Sequence, residues 1–268
     1  MLKDITLGQY FPGNSIAHKL DPRTKILLVT LYIIALCSAK GWMGYAVMAV
    51  TLAACVKVSH VGLRALVRGL KPLVFIIAFT GILNMFFTPD THYLWEWGIL
   101  RVSVKGIENA LFMVIRIMLL VMGTFLMTYT TSPIRLTDGL ESLLNPLKKI
   151  HVPVHELAMM MSIALRFIPT LIEETDKIMS AQKARGADFD SGNIFQKAKA
   201  LVPILVPLFI SAFRRADELA TAMECRCYHG GEGRTKLHVL KYQRRDYVAL
   251  AGGVVILVLV VALRRLGA

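Results

Sequence analysis

The chain has 268 residues, 55% of them apolar, with a mean hydropathy of +0.56 and a formal charge of +13. Hydropathy at this level excludes an ordinary soluble domain and points to a polytopic membrane protein. The positive charge clusters beside apolar runs, as expected of cytoplasmic loops, so nucleic acid is not the partner it serves.

The N-terminus starts polar, without the long apolar core and small-residue cleavage site of a secretory signal. Residues 20–25, Leu-Asp-Pro-Arg-Thr-Lys, lead into a first apolar run at 26–39. Lys40-Gly41 then reads as a tight hairpin to a second run at 42–56, followed by runs at 72–87, 107–131 and 247–263. Most lie near or below the ~17-residue lower bound for a spanning helix. The first is the weakest, and needs Lys25 and Lys40 to snorkel their ammonium groups outwards.

Orientation follows from the loops. Residues 57–71 carry Lys57, Arg64, Arg68 and Lys71 without an acid, so they belong inside. Residues 88–105 carry Asp90 and Glu96 against Arg101 and Lys105, and Tyr93, Trp95 and Trp97 suit an outer interface. Residues 132–246 hold 17 Lys/Arg and 13 Asp/Glu and return inside. The N-terminus is thus expected in the cytoplasm and the C-terminus outside, which sets Arg264 and Arg265 against the rule. Within the fourth run Arg116, with Glu108 and Asn109 before it and Asn84 in the third, reads either as part of a substrate path or as a charge paired inside the bundle.

Residues 132–246 are too long for a plain loop and should be folded. Ser132-Pro133 is a helix-start signal, and Leu136, Leu140, Leu143, Leu144 and Leu147 recur at helical spacing after it. A long helix should run from about His155 to Ala184, kinked at Pro169 and closed by Gly186. A second unit repeats the plan: residues 201–213 are apolar with Pro203 and Pro207, and Arg214-Arg215 opens a polar half ending at Arg226-Cys227. Methionines such as Met159, Met160 and Met161 suit either core packing or a surface that fits more than one partner.

The two polar halves match at an offset of 41 residues. Asp176 pairs with Asp217, Ala181 with Ala222, Ala184 with Cys225, Arg185 with Arg226, and Gly186 with Cys227. Each copy ends in an arginine between small residues, which points to one kind of docking performed twice. An arginine at a helix end can hold a carboxylate in bidentate fashion, and small neighbours let backbones approach.

Catalytic chemistry is missing from the pattern. The glycine cluster at 230–236 has the wrong order for a phosphate-binding P-loop, and no metalloprotease or hydrolase signature occurs. His151 and His155 have Pro153 between them, Cys225 and Cys227 lack a second pair, and no metal or other cofactor is expected.

Residues 20–25, Ala184-Arg185-Gly186, and Cys225-Arg226-Cys227-Tyr228 with Gly230-Gly231-Glu232-Gly233-Arg234-Thr235 carry a resemblance across nearly the whole chain. They resemble the transmembrane T component of energy-coupling factor transporters, the EcfT and CbiQ-like family. The resemblance implies an all-α integral membrane protein with about five transmembrane helices and a cytoplasmic coupling domain of long amphipathic helices. Residues 1–131 would hold the N-terminal membrane helices, 132–246 the coupling domain, and 247–268 the last membrane helix.

It further implies a non-catalytic, multi-pass subunit of the cell membrane. That subunit links two cytoplasmic ABC ATPases to a substrate-binding S component for vitamin or metal-ion uptake. Ala184, Arg185, Gly186, Cys225, Arg226 and Cys227 would dock the ATPases, and their unequal neighbours suit a heterodimer. Leu140, Leu144, Met160, Met161, Leu165 and Pro207 would meet the S component, either dedicated or exchanged. The competing expectation is an ion-coupled secondary transporter that carries its own substrate past Arg116 or Glu108.

Overall fold

A computed structural model describes residues 10–88, 93–97, 100–187, 189, 193–230 and 239–265. Contacts divide the chain into two compact units, residues 8–140 with 240–268, and residues 141–239.

The first unit opens with a short turn of helix, α1 (Ile16–Lys19), capped by Ser15. Helix α2 (Pro22–Ser38) starts where the sequence provides both start signals, with Pro22 in its first turn and the Asp21 side chain accepting from the Arg23 N–H. Ala39 and Lys40 turn the chain into α3 (Gly41–Ser59), which ends at His60 in the left-handed conformation. Helix α4 (Leu63–Leu70) continues through a 3-10 turn at Lys71–Leu73 into α5 (Val74–Phe87). Two short antiparallel strands, β1 (Tyr93–Trp97) and β2 (Leu100–Ser103), pair Trp97 with Leu100. Asp90 and the side chains of Tyr93, Trp95, Glu96, Trp97 and Arg101, expected at an outer interface, lie outside the described residues. Ser103 then caps α6 (Val104–Thr130) through the Gly106 N–H at 2.9 Å. Helix α7 (Pro133–Leu144) follows, and α10 (Arg244–Arg265) returns to the unit at the end of the chain.

Helices α2, α3, α6 and α10 supply its core, with Leu36, Met48 and Val260 fully buried and Leu66 of α4 closing it. Close approach is built in at Gly123 of α6, where a Cβ would sit 2.5 Å from Tyr32 Cε1. The Tyr32 hydroxyl donates to the Leu119 carbonyl at 3.1 Å, so the aromatic ring lies flat across a helix face that only glycine leaves free.

The second unit contains a 3-10 turn (Asn145–Ile150), α8 (Val154–Ala184) and α9 (Ile194–Glu224). The expected helix from His155 to Ala184 is present, beginning one residue earlier. Pro203 and Pro207 lie inside a single continuous α9.

Among the described residues, five helical segments are long and apolar enough to cross a membrane: Gly41–Ser59, Leu63–Phe87, Val104–Thr130, Val154–Ala184 and Arg244–Arg265. The number equals the sequence expectation but the membership does not. The expected first span lies in α2, whose 17 residues, about 25 Å of helix, sit at the ~17-residue lower bound for a spanning helix. Helix α8 qualifies instead because its first 18 residues carry only Glu156 and Arg166 as charges.

Lys25 also corrects the sequence reading. It does not snorkel outwards; it is buried, and its Nζ donates to the Thr130 carbonyl at 2.9 Å and to Thr131 Oγ1 at 3.1 Å. The last carbonyls of α6 have no partner in their own helix, and the ammonium satisfies one of them.

Candidate functional site

Helices α8 and α9 end in the same way. In α8 the Gly186 N–H bonds to the Lys183 carbonyl and the Ala187 N–H to the Gln182 carbonyl, both at 3.0 Å. Forty-one residues later Cys227 bonds to Glu224 at 2.8 Å and Tyr228 to Met223 at 3.1 Å. This pair of bonds is the Schellman closure, which requires a left-handed residue just past the helix. Gly186 has φ 87° and Cys227 has φ 55°. The repeat therefore extends from residue type to backbone hydrogen bonding, and Cys227 takes the position that glycine fills in the first copy.

Arg185 and Arg226 stand immediately before those left-handed residues. Both are exposed, as are Ala184, Gly186, Cys225 and Cys227. Neither guanidinium makes a hydrogen bond or ion pair among the described residues. Ser180 donates to the Asp176 carbonyl and Thr221 to the Asp217 carbonyl, again 41 residues apart, on the faces leading to each arginine. Residues 231–235, which extend the second signature, lie outside the described residues.

The two helices meet at another equivalent pair. Arg215 donates to Glu174 Oε2 from Nη2 at 3.0 Å and from Nε at 3.2 Å, and Ser211 donates to Glu174 Oε1. Gln182, later in α8, donates to the carbonyl of Pro203, earlier in α9, so the helices run in opposite senses through their contact. Arg185 lies 11 residues beyond Glu174, and Arg226 lies 11 residues beyond Arg215, in each case about 16 Å of helix. Each arginine thus lies about three helical turns past the Glu174–Arg215 contact.

Helix α9 carries an uninterrupted apolar stripe. Leu201, Leu205, Phe209 and Phe213 are each about half exposed or more, with Val202, Val206 and Ile210 beside them. An apolar face of this extent marks an interaction or membrane surface. Pro207 is half-buried and lies off the stripe. Of the other residues expected to meet a partner, Met160 and Met161 are exposed on α8, Leu165 and Leu144 are half-buried, and Leu140 is exposed on α7. The apolar character of residues 201–213 was readable in the sequence. Which side α8 covers was not, because that depends on Glu174 and Gln182.

In the first unit, residues 20–25 act as a staple. The Asp21 N–H donates to Asp246 Oδ1 at 2.9 Å, and Arg23 Nη2 donates to the Leu240 carbonyl at 3.4 Å with its guanidinium 5.3 Å from the centre of the Tyr242 ring. Together with Lys25 on Thr130 and Thr131, the segment ties the start of α2 to the start of α10 and the end of α6. Gly139 of α7 packs on Pro22, where a Cβ would come within 3.0 Å.

Arg116 is paired within the bundle. Its Nε donates to the Tyr45 hydroxyl at 2.9 Å, beside a cavity of about 410 Å³ that Lys40, Asn84 and Asn109 also line. Glu108 is exposed and does not line it. His155 bonds to Glu141 at 3.0 Å, and no group of three potential metal ligands occurs among the described residues.

Comparisons with known proteins agree with one another. The family model described as CbiQ, cobalt transport protein, matches residues 13–237. The chain is 54% identical over 246 residues to the energy-coupling factor transporter transmembrane protein EcfT of Ruminiclostridium cellulolyticum, covering 92% of each chain. It is 56% identical over 250 residues to the Clostridium kluyveri protein of that name, covering 93% of each. The Bacillus subtilis protein of that name is 46% identical over 264 residues, aligning 98% of this chain and 100% of its own.

Proposed function

We propose a coupling role on one premise: the chain belongs to the CbiQ family, and it is the transmembrane component of an energy-coupling factor transporter. In this reading two cytoplasmic ABC ATPases dock on the ends of α8 and α9. Arg185 and Arg226 each enter an acidic groove on one ATPase, and Ala184, Gly186, Cys225 and Cys227 keep the approach free of bulk. The single observation that carries this is the pair of helix ends with matching closure bonds, each presenting an exposed, unpartnered arginine. Glycine at one end and cysteine at the other suit two different ATPases.

Residues 132–246 form the coupling region in the cytoplasm, and residues 1–131 and 247–268 form the part held in the cell membrane, with the N-terminus inside. Helix α8 is placed in the coupling region despite its apolar first half, because its second half carries Glu173, Glu174, Asp176, Lys177 and Lys183. The S component rests on the apolar stripe of α9 and on Leu140, Leu144, Met160, Met161 and Leu165. ATP-driven movement of the ATPases shifts the ends of α8 and α9, and the Glu174–Arg215 contact passes that shift to the face under the S component. The result is uptake of a vitamin or metal ion.

Charge reversal tests the docking. Arg185→Glu and Arg226→Glu are expected to abolish capture of the ATPases by the tagged chain while membrane insertion stays at wild-type level. Full recovery of both ATPases with the double variant would overturn the assignment.

A further inference from the structure

Within the first unit, α2, α3, α6 and α10 line a cavity of about 660 Å³, a volume typical of small-ligand sites. Its lining is ordered by polarity. Lys25, Arg244 and Arg245 stand at the end where α2 and α10 begin, while Leu28, Leu31 and Ile256 line the deeper part. No carboxylate is among the lining residues. Arg244 and Arg245 are exposed and have no hydrogen bond or ion pair among the described residues. The adjacent Asp246 is buried, with one oxygen accepting from the Asp21 N–H and the other from the Gln243 N–H, so it is not their partner.

The cavity reaches the protein surface at Val248, which is 72% exposed, and at Val58. Helix α10 lines it with one stripe, and Gly252 in that stripe removes a side chain where a Cβ would meet nothing within 4 Å. An open slot, apolar along its length and cationic at one end, has the polarity of a single phospholipid.

We propose that this cavity is a binding site for an anionic phospholipid, its phosphate on Arg244 and Arg245 and an acyl chain lying along Leu28, Gly252 and Ile256. Guanidinium groups hold phosphate oxygens in bidentate fashion, and basic pockets between membrane helices are established sites for anionic head groups. A zwitterionic lipid would fill the slot equally well, but its own choline cation offsets the attraction of its phosphate to two unneutralised arginines. In the orientation proposed above the cationic end faces the cytoplasmic leaflet.

Native mass spectrometry of the full-length chain, with the subunits that co-purify, tests this by titration with palmitoyl-oleoyl phosphatidylglycerol and with phosphatidylcholine of the same chains. The wild type is expected to retain the glycerol lipid preferentially. Arg244→Gln with Arg245→Gln should weaken phosphatidylglycerol roughly fivefold for each arginine removed, the worth of one basic residue near an anionic surface, and weaken phosphatidylcholine less. Gly252→Leu, whose Cβ would meet nothing within 4 Å, should reduce both lipids, and Gly252→Ala serves as its folded control. Equal retention of the two lipids by the wild type would overturn the proposal. So would loss of phosphatidylglycerol in only one of the two main variants, since head group and chain would then not share one site.

Discussion

Cys227 holds a left-handed backbone without being glycine, a conformation that costs an L-residue roughly 1 kcal/mol or more. Gly186, its equivalent, has φ 87° and open space around a would-be Cβ. Cys227→Gly is therefore expected to tighten the last turn of α9, raising hydrogen-exchange protection of the Cys227 and Tyr228 amides, with ATPase capture retained. Gly186→Val should fray the end of α8 in the same assay. Lower protection in Cys227→Gly would mean that the cysteine side chain itself holds the turn. The sequence made both arginines and their offset legible because composition repeats with them. It hid the shared closure, since cysteine is not a residue that announces positive φ.

At the scale of elements, the contact between α8 and α9 joins Glu174 to its own repeat equivalent, Arg215, as at a local twofold axis. The sequence presented Glu173-Glu174 and Arg214-Arg215 as polar starts of two separate halves, and nothing local says that they face each other. Glu174→Arg alone sets two cations together and should lower the thermal stability of the detergent-purified protein. Adding Arg215→Glu should recover most of the loss. The pair is partly exposed, so a double-mutant cycle to alanine is expected to give only about 0.2–1 kcal/mol of coupling. A swap variant no better than the single reversal would show that the pair does not hold the helices together. Residues 26–39 are apolar enough to cross, and Lys25 just before them bonds the end of α6 rather than reaching water.

For the molecule as a whole, residues 20–25 turn a local helix-start signal into a link between chain positions 225 apart. In the sequence residues 20–25 read only as the lead into an apolar run, whereas Asp21 caps α2 and Pro22 opens it. Asp246, a single acid after Arg244-Arg245, gave no sign of being the partner. Its removal in Asp246→Ala strands the buried Asp21 N–H, a loss of about 1–3 kcal/mol when unsatisfied, and leaves the exposed Gln243 N–H to water. The expected result is a marked fall in the melting temperature of the purified protein, with Asp246→Asn intermediate because one acceptor oxygen remains. An unchanged melting temperature in the alanine variant would remove the staple from the account.

In the coupling role proposed above, this subunit transmits work done by other proteins. Affinity purification of the full-length chain from its native membranes, with identification of every co-purifying subunit, tests it directly. Recovery of two ABC ATPases and a small membrane protein that binds a vitamin or metal ion is the predicted result. Recovery of the chain without ATPases, and substrate uptake by that chain alone in liposomes under an ion gradient, would contradict it.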